Sequence, residues 1–291
     1  VSVQDVALVF FWPNMRTGLP AESVVIPSGR SQKHEFMIKS YGIYKEKKIS
    51  TKRLEQYLAK YGLGKSKKPD LIIATGGDGT FLRASERFAN RIVLYVRAST
   101  NFGMLAHASL EDAKVIARKI AEGRYKIRKE PIILAEIGKR EYKTAGDFYV
   151  ERGRENSALR YAAKIKQNRK TIAIDAVSNG FIVTTPMGST GYFSYVERLL
   201  GKPVKRIEGF GFEHILPHSI IENVNGKKAK AKIRHIIKGD FEINVKLKRG
   251  IDQCLFSASF ISKCVRLPRG ANLKFKNRGF SSVMELNSGG G

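Results

Sequence analysis

The chain is 291 residues long, with 42% apolar and 27% charged residues, and this balance excludes a disordered or fibrous protein. Its 53 Lys and Arg outnumber the 26 Asp and Glu, so the formal net charge is +27. A field of that sign concentrates polyanions such as nucleotides, polyphosphate and nucleic acid, but it does not select among them.

Two further features of composition bear on the location of the protein. The longest apolar run near the start, residues 6–12, is too short to cross a bilayer, and no signal-peptide pattern precedes it. Cys254 and Cys264 lack the paired spacing of a zinc site or a redox dithiol. We therefore expect no membrane partner and a reducing compartment, either the cytoplasm or an organellar matrix.

Strands and helices alternate in the first third of the sequence. Apolar runs typical of buried strands cover residues 5–12, 70–74 and 91–96. Helical periodicity covers residues 50–64, 81–89 and 109–123. In the last of these, Ser109 is the predicted N-cap and Gly123 follows the helix end. The alternation predicts a doubly wound, Rossmann-like α/β domain over residues 1–128.

The pattern changes near Pro131, where strands of period two begin to follow one another with few helices between them. Residues 227–236 predict a single strand with a basic face, formed by Lys228, Lys230, Lys232 and Arg234. Residues 241–250 alternate in the same way. We expect an antiparallel, β-sandwich-like second domain over residues 129–266.

Residues 75–80, Thr-Gly-Gly-Asp-Gly-Thr, stand between a predicted strand and a predicted helix. Glycines at such a junction let backbone N–H groups approach a phosphate, assisted by the positive end of the helix dipole. The loop lacks the Gly-Lys-Ser/Thr of a Walker A motif, and the dinucleotide fingerprint has no acid inside it. A carboxylate in a phosphate loop holds Mg²⁺ or accepts a proton from an attacking hydroxyl, and both roles belong to phosphoryl transfer. The alternative is a tight turn in which Asp78 only caps the helix.

Residues 178–192, SNGFIVTTPMGSTGY, predict a strand that runs into a loop of small and hydroxyl-bearing residues. Its hydrogen-bonding groups would be those of Thr184, Thr185, Ser189 and Thr190. Gly188 and Gly191 allow close backbone approach, and Tyr192 offers a flat face for a base. Taken alone, the stretch is also compatible with a β-turn that carries surface hydroxyls.

Together, the two loops resemble the motifs of the NAD kinase family, whose superfamily also contains diacylglycerol and sphingosine kinases. GGDGT is shared across much of that superfamily, whereas the second loop, similar to TPTGSTAY, selects NAD kinase. The resemblance extends from Pro69 to about Phe275. It implies an enzyme that transfers the γ-phosphoryl group of ATP or polyphosphate to the 2′-hydroxyl of the adenosine ribose of NAD, giving NADP. It also implies Mg²⁺ as a cofactor, a homo-dimer or homo-tetramer, and a return of residues 267–291 to the first domain.

The resemblance assigns roles to residues of both loops. Asp78 would be the general base, or would orient the attacking hydroxyl and its metal. Phosphate oxygens would be held by Gly76, Gly77, Gly79 and Thr80. The NAD pocket would be lined by Asn101, Asp147, Asn179, Thr185, Ser189, Thr190, Gly191 and Tyr192.

The sequence departs from the family at four places. Where the family carries Asn-Glu, this chain has Gly146 and Asp147, which removes a nucleotide-binding amide and keeps the acid. Asn179 replaces an acid, Met104 replaces a phenylalanine, and the residues after Tyr192 lack the family's small-residue helix start. These departures and the charge of +27 leave a second hypothesis open, a catalytically inactive protein of this fold that binds nucleic acid or a ribonucleoprotein. The second loop disfavours a lipid kinase.

Overall fold

The computed structural model describes residues 37–98, 103–153, 158–249, 254–257, 265–268 and 270–287. The described residues from Ile38 onward group into one compact unit. The predicted strand at residues 5–12, the predicted site residue Asn101 and the thiol of Cys264 lie outside the described residues. The division of the chain at residue 128 stays a prediction.

The first part of the described chain is a parallel α/β layer. Its elements are β1 (Ser40–Lys45), α1 (Lys52–Lys60), β2 (Gly64–Lys65), β3 (Leu71–Gly76), α2 (Asp78–Arg87), β4 (Ile92–Arg97), β5 (Ala108–Ser109) and α3 (Ala113–Ala121). The strand order is β2-β1-β3-β4, and all neighbours are parallel. Ile73 and Leu94 pack with α1 and α3, whereas Ile72 and Val93 pack with α2 on the opposite face. Helices on both faces confirm the predicted doubly wound arrangement.

The second part consists almost entirely of strands. Its elements are β6 (Tyr125–Ile137), β7 (Arg140–Thr144), β8 (Asp147–Glu151), β9 (Leu159–Gln167), β10 (Lys170–Ser178), β11 (Gly180–Thr184), α4 (Tyr195–Leu199), β12 (Phe210–Ile215), β13 (Ser219–Val224), β14 (Lys227–Ala229), β15 (Arg234–Ile237), β16 (Phe241–Arg249), β17 (Cys254–Ser257), β18 (Val265–Arg266) and β19 (Asn272–Leu286).

Two sheets of this second part pack face to face. The order β14-β13-β10-β9-β16-β19 continues the sheet that contains the parallel strands, and a separate antiparallel sheet has the order β15-β12-β11-β8-β17-β18. Phe148, Phe181 and Phe212 of the smaller sheet share one buried cluster with Tyr161 and Phe275 of the larger sheet. The mixed α/β fold with a β-rich, sandwich-like part therefore agrees with the prediction.

Strand β19 joins the parallel and antiparallel parts of the large sheet. Its first residues pair with β16, and its last residues pair in parallel with β4, where Ser282 lies opposite Ile92. Along most of its length it also pairs with β6, with an irregularity between Asn277 and Phe280. A single strand therefore aligns the two parts.

The structure divides the predicted basic strand of residues 227–236. Lys228 lies on β14 in the large sheet, whereas Arg234 begins β15 in the smaller sheet, and residues 230–233 form no strand between them. Arg234 is also half-buried and donates a hydrogen bond to Glu213 at 2.6 Å. The prediction of one continuous basic strand face was wrong, because alternation defines local faces and not the sheet that a segment joins.

The helices lie close to their predicted positions, with corrections at two starts. Helix α2 begins at Asp78, three residues before the predicted start at Phe81. The side chain of Ser109 accepts a hydrogen bond from Glu111, but it heads a 3-10 turn, and α3 begins only at Ala113. Among the described residues, no helix combines the length and the apolar character that a membrane span requires.

Candidate functional site

The first predicted loop joins the buried end of β3 to the start of α2. Gly76 is the last residue of β3, and a Cβ atom there would lie 2.6 Å from Thr80 Oγ1 and 2.7 Å from Glu46 Oε1. Only glycine fits this position, because both contacts are shorter than real Cβ atoms tolerate. Gly77 is the N-cap of α2 and Asp78 its first residue. The loop therefore places a carboxylate at the positive end of the helix dipole.

The carboxylate of Asp78 is oriented by the loop that follows β4. Its Oδ2 accepts the N–H of Met104 at 3.0 Å, and its Oδ1 accepts the N–H of Leu105 at 3.3 Å. The hydroxyl of Tyr95 lies beside it, and burial together with the Asp78 charge raises the pKa of Tyr95. Since both backbone hydrogen bonds come from the neighbouring loop and not from α2, Asp78 does more than cap its own helix.

A second carboxylate, that of Glu46, contacts the same loop from the end of β1. Its Oε1 accepts the hydroxyl of Thr80 at 2.7 Å and the N–H of Gly77 at 3.3 Å. These two hydrogen bonds lower the pKa of Glu46, with a further contribution from Arg83. Two of the donors expected to hold phosphate oxygens are therefore directed at an internal anion.

The second predicted loop follows β11 and is fastened by its own hydroxyls. The hydroxyl of Thr185 donates to the carbonyl of Ala145 at 2.6 Å, and that of Ser189 donates to the carbonyl of Pro186 at 2.8 Å. The Thr185 oxygen also accepts the N–H of Gly188 at 3.1 Å. The first of these bonds fixes the loop against the segment that precedes β8, and the other two are internal to the loop. A ligand-binding role for Thr185 and Ser189 stays a prediction.

A pocket of about 400 Å³ lies between the two loops. The predicted site residues that line it are Asp78, Gly79, Asp147, Thr190, Gly191 and Tyr192. Its wall is completed by Gly188 of the second loop and by residues that were not predicted, namely Leu82, Leu105, Tyr149 and Met187. The sequence contained a signal for Tyr149, because it follows Asp147 by two residues on β8 and so shares its strand face.

Besides Thr185 and Ser189, four other predicted residues do not line this pocket. Asn179 precedes β11 at the strand end remote from the loop, where its N–H donates to Ile215 at 2.9 Å. Gly76, Gly77 and Thr80 lie behind the pocket, near Glu46. The binding roles of these four residues stay predictions.

Asp147 stands at the start of β8 and is only 8% exposed. Burial raises the pKa of its carboxyl to about 6, although the N–H of Tyr192 donates to it and opposes the rise. The nearby charge of Glu86 adds to the effect of burial. Near pH 6 the group is half protonated, so it can donate as well as accept a hydrogen bond.

Tyr192 is held in a fixed orientation at the pocket wall. Its hydroxyl donates to Glu151 at 2.7 Å, and its ring meets that of Tyr149 edge-on with centroids 5.1 Å apart. Burial and the Glu151 carboxylate raise the pKa of Tyr192, so the phenol stays neutral. The rings of Tyr149 and Tyr192 therefore form the same side of the pocket.

Gly146, which stands where the family carries an amide side chain, lies against a leucine of the pocket wall. A Cβ atom on Gly146 would lie 2.9 Å from Cδ1 of Leu82. Leu82 itself belongs to the pocket wall. A side chain at residue 146 would therefore require the end of the Leu82 side chain to move.

The crevice continues past Thr190 into a smaller cavity of about 240 Å³, which shares Leu105, Met187 and Thr190 with the pocket. Glu130, almost fully buried, forms ion pairs with Arg128 at 2.9 Å and with Arg206. Two guanidinium groups are thus fixed at the wall of the adjoining cavity.

The two acids of the pocket also bear on metal binding. Among the described residues, no group of three or more His, Cys, Asp or Glu could hold a metal ion alone. Mg²⁺ is commonly held by one or two carboxylates together with substrate phosphates and water. Asp78 and Asp147 both line the pocket and fit that pattern.

The chain is similar to curated proteins named NAD kinase. It is 29% identical over 158 residues to the NAD kinase of Bdellovibrio bacteriovorus, covering 52% of this chain and 50% of that protein. It is 24% identical over 237 residues to the NAD kinase of Carboxydothermus hydrogenoformans, covering 76% and 79%. The chain thus spans about half the length of the first of these relatives. No family profile matches the chain.

Two solved structures share the fold. The crystal structure of yeast NADH kinase in complex with NADH superposes with a TM-score of 0.66 at 14% identity, covering 87% of this chain and 85% of that one. An NAD kinase from Archaeoglobus fulgidus in complex with ATP gives 0.62 at 19% identity, covering 85% and 93%. The predicted resemblance is confirmed by these relatives and neighbours together.

Proposed function

We propose, from this chain's place in the NAD kinase family, that it transfers the γ-phosphoryl group of ATP or polyphosphate to the 2′-hydroxyl of the adenosine ribose of NAD and so makes NADP. The observation that carries the proposal is the pocket in which Asp78 of the first loop faces Thr190, Gly191 and Tyr192 of the second. The general base and the nucleotide-binding loop must line the same cavity if the hydroxyl of the bound nucleotide is to attack a phosphoryl group.

Asp78 is the group that receives the proton of the attacking hydroxyl. The N–H groups of Met104 and Leu105 hold its carboxylate at the pocket wall. A positioned general base contributes about 10²–10⁴-fold to the rate. The remaining barrier is lowered by positioning and by charge neutralisation, because a metaphosphate-like transition state needs little covalent assistance.

The rings of Tyr192 and Tyr149 offer apolar faces to a base of NAD, and Asp147 beside them hydrogen-bonds a ribose hydroxyl. The fixed hydrogen bond from Tyr192 to Glu151 supports this role, since a ring that is already oriented loses little entropy when a base stacks on it. Thr190 and Gly191 bring backbone groups to the same wall.

Phosphate oxygens are held by Gly76, Gly77, Gly79 and Thr80 at the start of α2. Because Glu46 accepts hydrogen bonds from Gly77 and Thr80, a phosphate must compete with that carboxylate. When bound, Mg²⁺ neutralises phosphate charge, and Asp78 and Asp147 are the residues that would hold it. Assembly as a dimer or tetramer, and a location in the cytoplasm or an organellar matrix, belong to the same proposal.

The test is NAD phosphorylation by the purified chain, with ATP–Mg²⁺ and polyphosphate–Mg²⁺ as donors in parallel. Asp78→Asn should lower kcat by about 10²–10⁴-fold and leave the Kd for NAD nearly unchanged. Asp240→Asn is the matched control, because it removes one negative charge from an exposed turn. Turnover in the Asp78 variant equal to that of the control would exclude Asp78 as the base.

A second candidate function is a catalytically inactive protein of this fold that binds nucleic acid. One observation favours it: Gly146 stands where the family carries a nucleotide-binding amide, and Leu82 fills the adjacent space. Absence of turnover with both donors, together with no measurable NAD binding, would exclude the kinase and support this candidate.

A further inference from the structure

The outer face of the large sheet carries a broad trough that shares no lining residue with the candidate pocket in the part of the chain that the structure describes. Its volume is about 630 Å³, and it crosses β13, β10, β9, β16 and β19. The strand register sets a row across it, Asn223, Ala173, Lys164, Asn244 and Lys274. Small and polar side chains thus form the floor, and the charged residues among them are three lysines and two acids, Lys164, Lys246, Lys274, Asp175 and Glu136.

Lysines outnumber acidic residues among the residues that line the trough. Lys164 and Lys246 line the trough and are exposed, and neither belongs to an ion pair among the described residues. Lys274 and Lys248 are paired with Glu242 and Asp175. The acids therefore hold neighbouring lysines in place, whereas Lys164 and Lys246 face no carboxylate in an ion pair among the described residues.

The side chains of the trough limit what can occupy it. Neither Trp, Tyr nor Phe lines it in the described ranges, so unstacked bases have no aromatic platform there. A second copy of the same face could pair its lysines only with Asp175 and Glu136, which already form ion pairs with Lys248 and Lys276. A rigid partner with a regular array of negative charge complements this face, since exposed lysines two residues apart on one strand, such as Lys246 and Lys248, lie about 7 Å apart.

We propose that this trough binds the phosphate backbone of a nucleic-acid duplex, without sequence preference. Lys164 and Lys246 contact phosphates directly, and the amides of Asn223, Asn244 and Asn272 donate hydrogen bonds to phosphate oxygens. The surface is independent of the phosphoryl-transfer pocket. The trough also accounts for part of the +27 charge. Residues 227–236 do not form the single basic strand face that was predicted for them, because they divide between two sheets.

The test is binding of a labelled short DNA duplex of mixed sequence to the full chain, measured by fluorescence anisotropy across a salt series. The double variant Lys164→Gln/Lys246→Gln should reduce the magnitude of the slope of log K against log salt by about 1.8, since each phosphate contact contributes about 0.9. The control Lys52→Gln/Lys67→Gln removes the same charge from exposed positions of the α/β part and should leave the slope nearly unchanged. Equal slopes for the two double variants would overturn the proposal.

A gain-of-binding variant keeps the test independent of any loss of folding. Asp175→Asn removes an acid from the trough and releases Lys248, so affinity for the duplex should increase several-fold. Equal affinity for a second, unrelated duplex sequence supports phosphate recognition. Displacement of the duplex by polyglutamate at equal charge concentration would show a general polyanion surface and overturn the assignment. NAD phosphorylation should be unchanged in all these variants, so the two proposals fail separately.

Discussion

Replacing Asp147 by asparagine should stabilise the folded protein at neutral pH. The carboxyl of Asp147 is 8% exposed, and burial raises its pKa to about 6. At pH 7 the folded protein therefore carries an ionised group in a place that favours the neutral form. Asparagine removes the charge and keeps an oxygen that can accept the N–H of Tyr192.

The expected size of the effect follows from the two pKa values. A rise from 3.8 to about 6 corresponds to about 3 kcal/mol, at about 1.4 kcal/mol for each pH unit. The folded state binds the proton more tightly than the unfolded state, so the wild type loses stability as the pH rises through this interval. Below about pH 4 the penalty is absent, and above about pH 6 it is fully present.

Urea unfolding of both proteins over a pH series measures this directly. The free energy of unfolding of Asp147→Asn minus that of the wild type should increase by about 2.4 kcal/mol between pH 4 and pH 7. Asp240→Asn, in an exposed turn, should differ from the wild type by less than about 0.5 kcal/mol. A difference for Asp147→Asn that stays constant with pH, or that decreases, would refute the reasoning.

Three other outcomes can be checked on single variants. Tyr192→Ala should weaken NAD binding by about 1–3 kcal/mol with a smaller change in kcat. Tyr192→Phe loses only the hydrogen bond to Glu151 and should raise the KM for NAD less than Tyr192→Ala does, and a larger KM for the Phe variant in steady-state kinetics would contradict ring stacking. Arg234→Ala should destabilise the fold by about 3–5 kcal/mol in urea unfolding, because it leaves the buried carboxylate of Glu213 without its cation, and a loss below 1 kcal/mol would be inconsistent with that pairing. Glu46→Gln should lower the KM for ATP several-fold, since it weakens the internal competitor for the phosphate loop, and an unchanged KM would remove Glu46 from that role.

Local patterns predicted the elements around the first loop well. The helical periodicity of residues 50–64 corresponds to α1, in which Leu54 and Leu58 are fully buried. The strand, glycine loop and helix that carry Asp78 follow from a buried apolar run and from glycine's conformational freedom, which are properties of adjacent residues. Such features depend on residues that are close together in the sequence, so the sequence alone is sufficient to predict them.

Contacts between distant segments could not be predicted in the same way. The meeting of Glu46 with Thr80 and the packing of Leu82 beside Gly146 depend on which strands become neighbours. The same limit accounts for the failed prediction at residues 227–236, where alternation continues across the boundary between two sheets. The family resemblance supplied the pairing of the two loops, which local periodicity could not.

The position of β19 has a consequence for how the protein folds. This strand pairs with β16 and β6 and also with β4, so the central sheet is incomplete until a segment near the end of the described chain is in place. During synthesis the parallel strands leave the ribosome before β19 has been made. The edge of β4 that pairs with β19 therefore stays unpaired until then. Pairing of such high contact order slows folding and lengthens exposure to aggregation. We expect the completed chain to acquire its sheet in one late, slow step, and the unfinished chain to depend on chaperones until then.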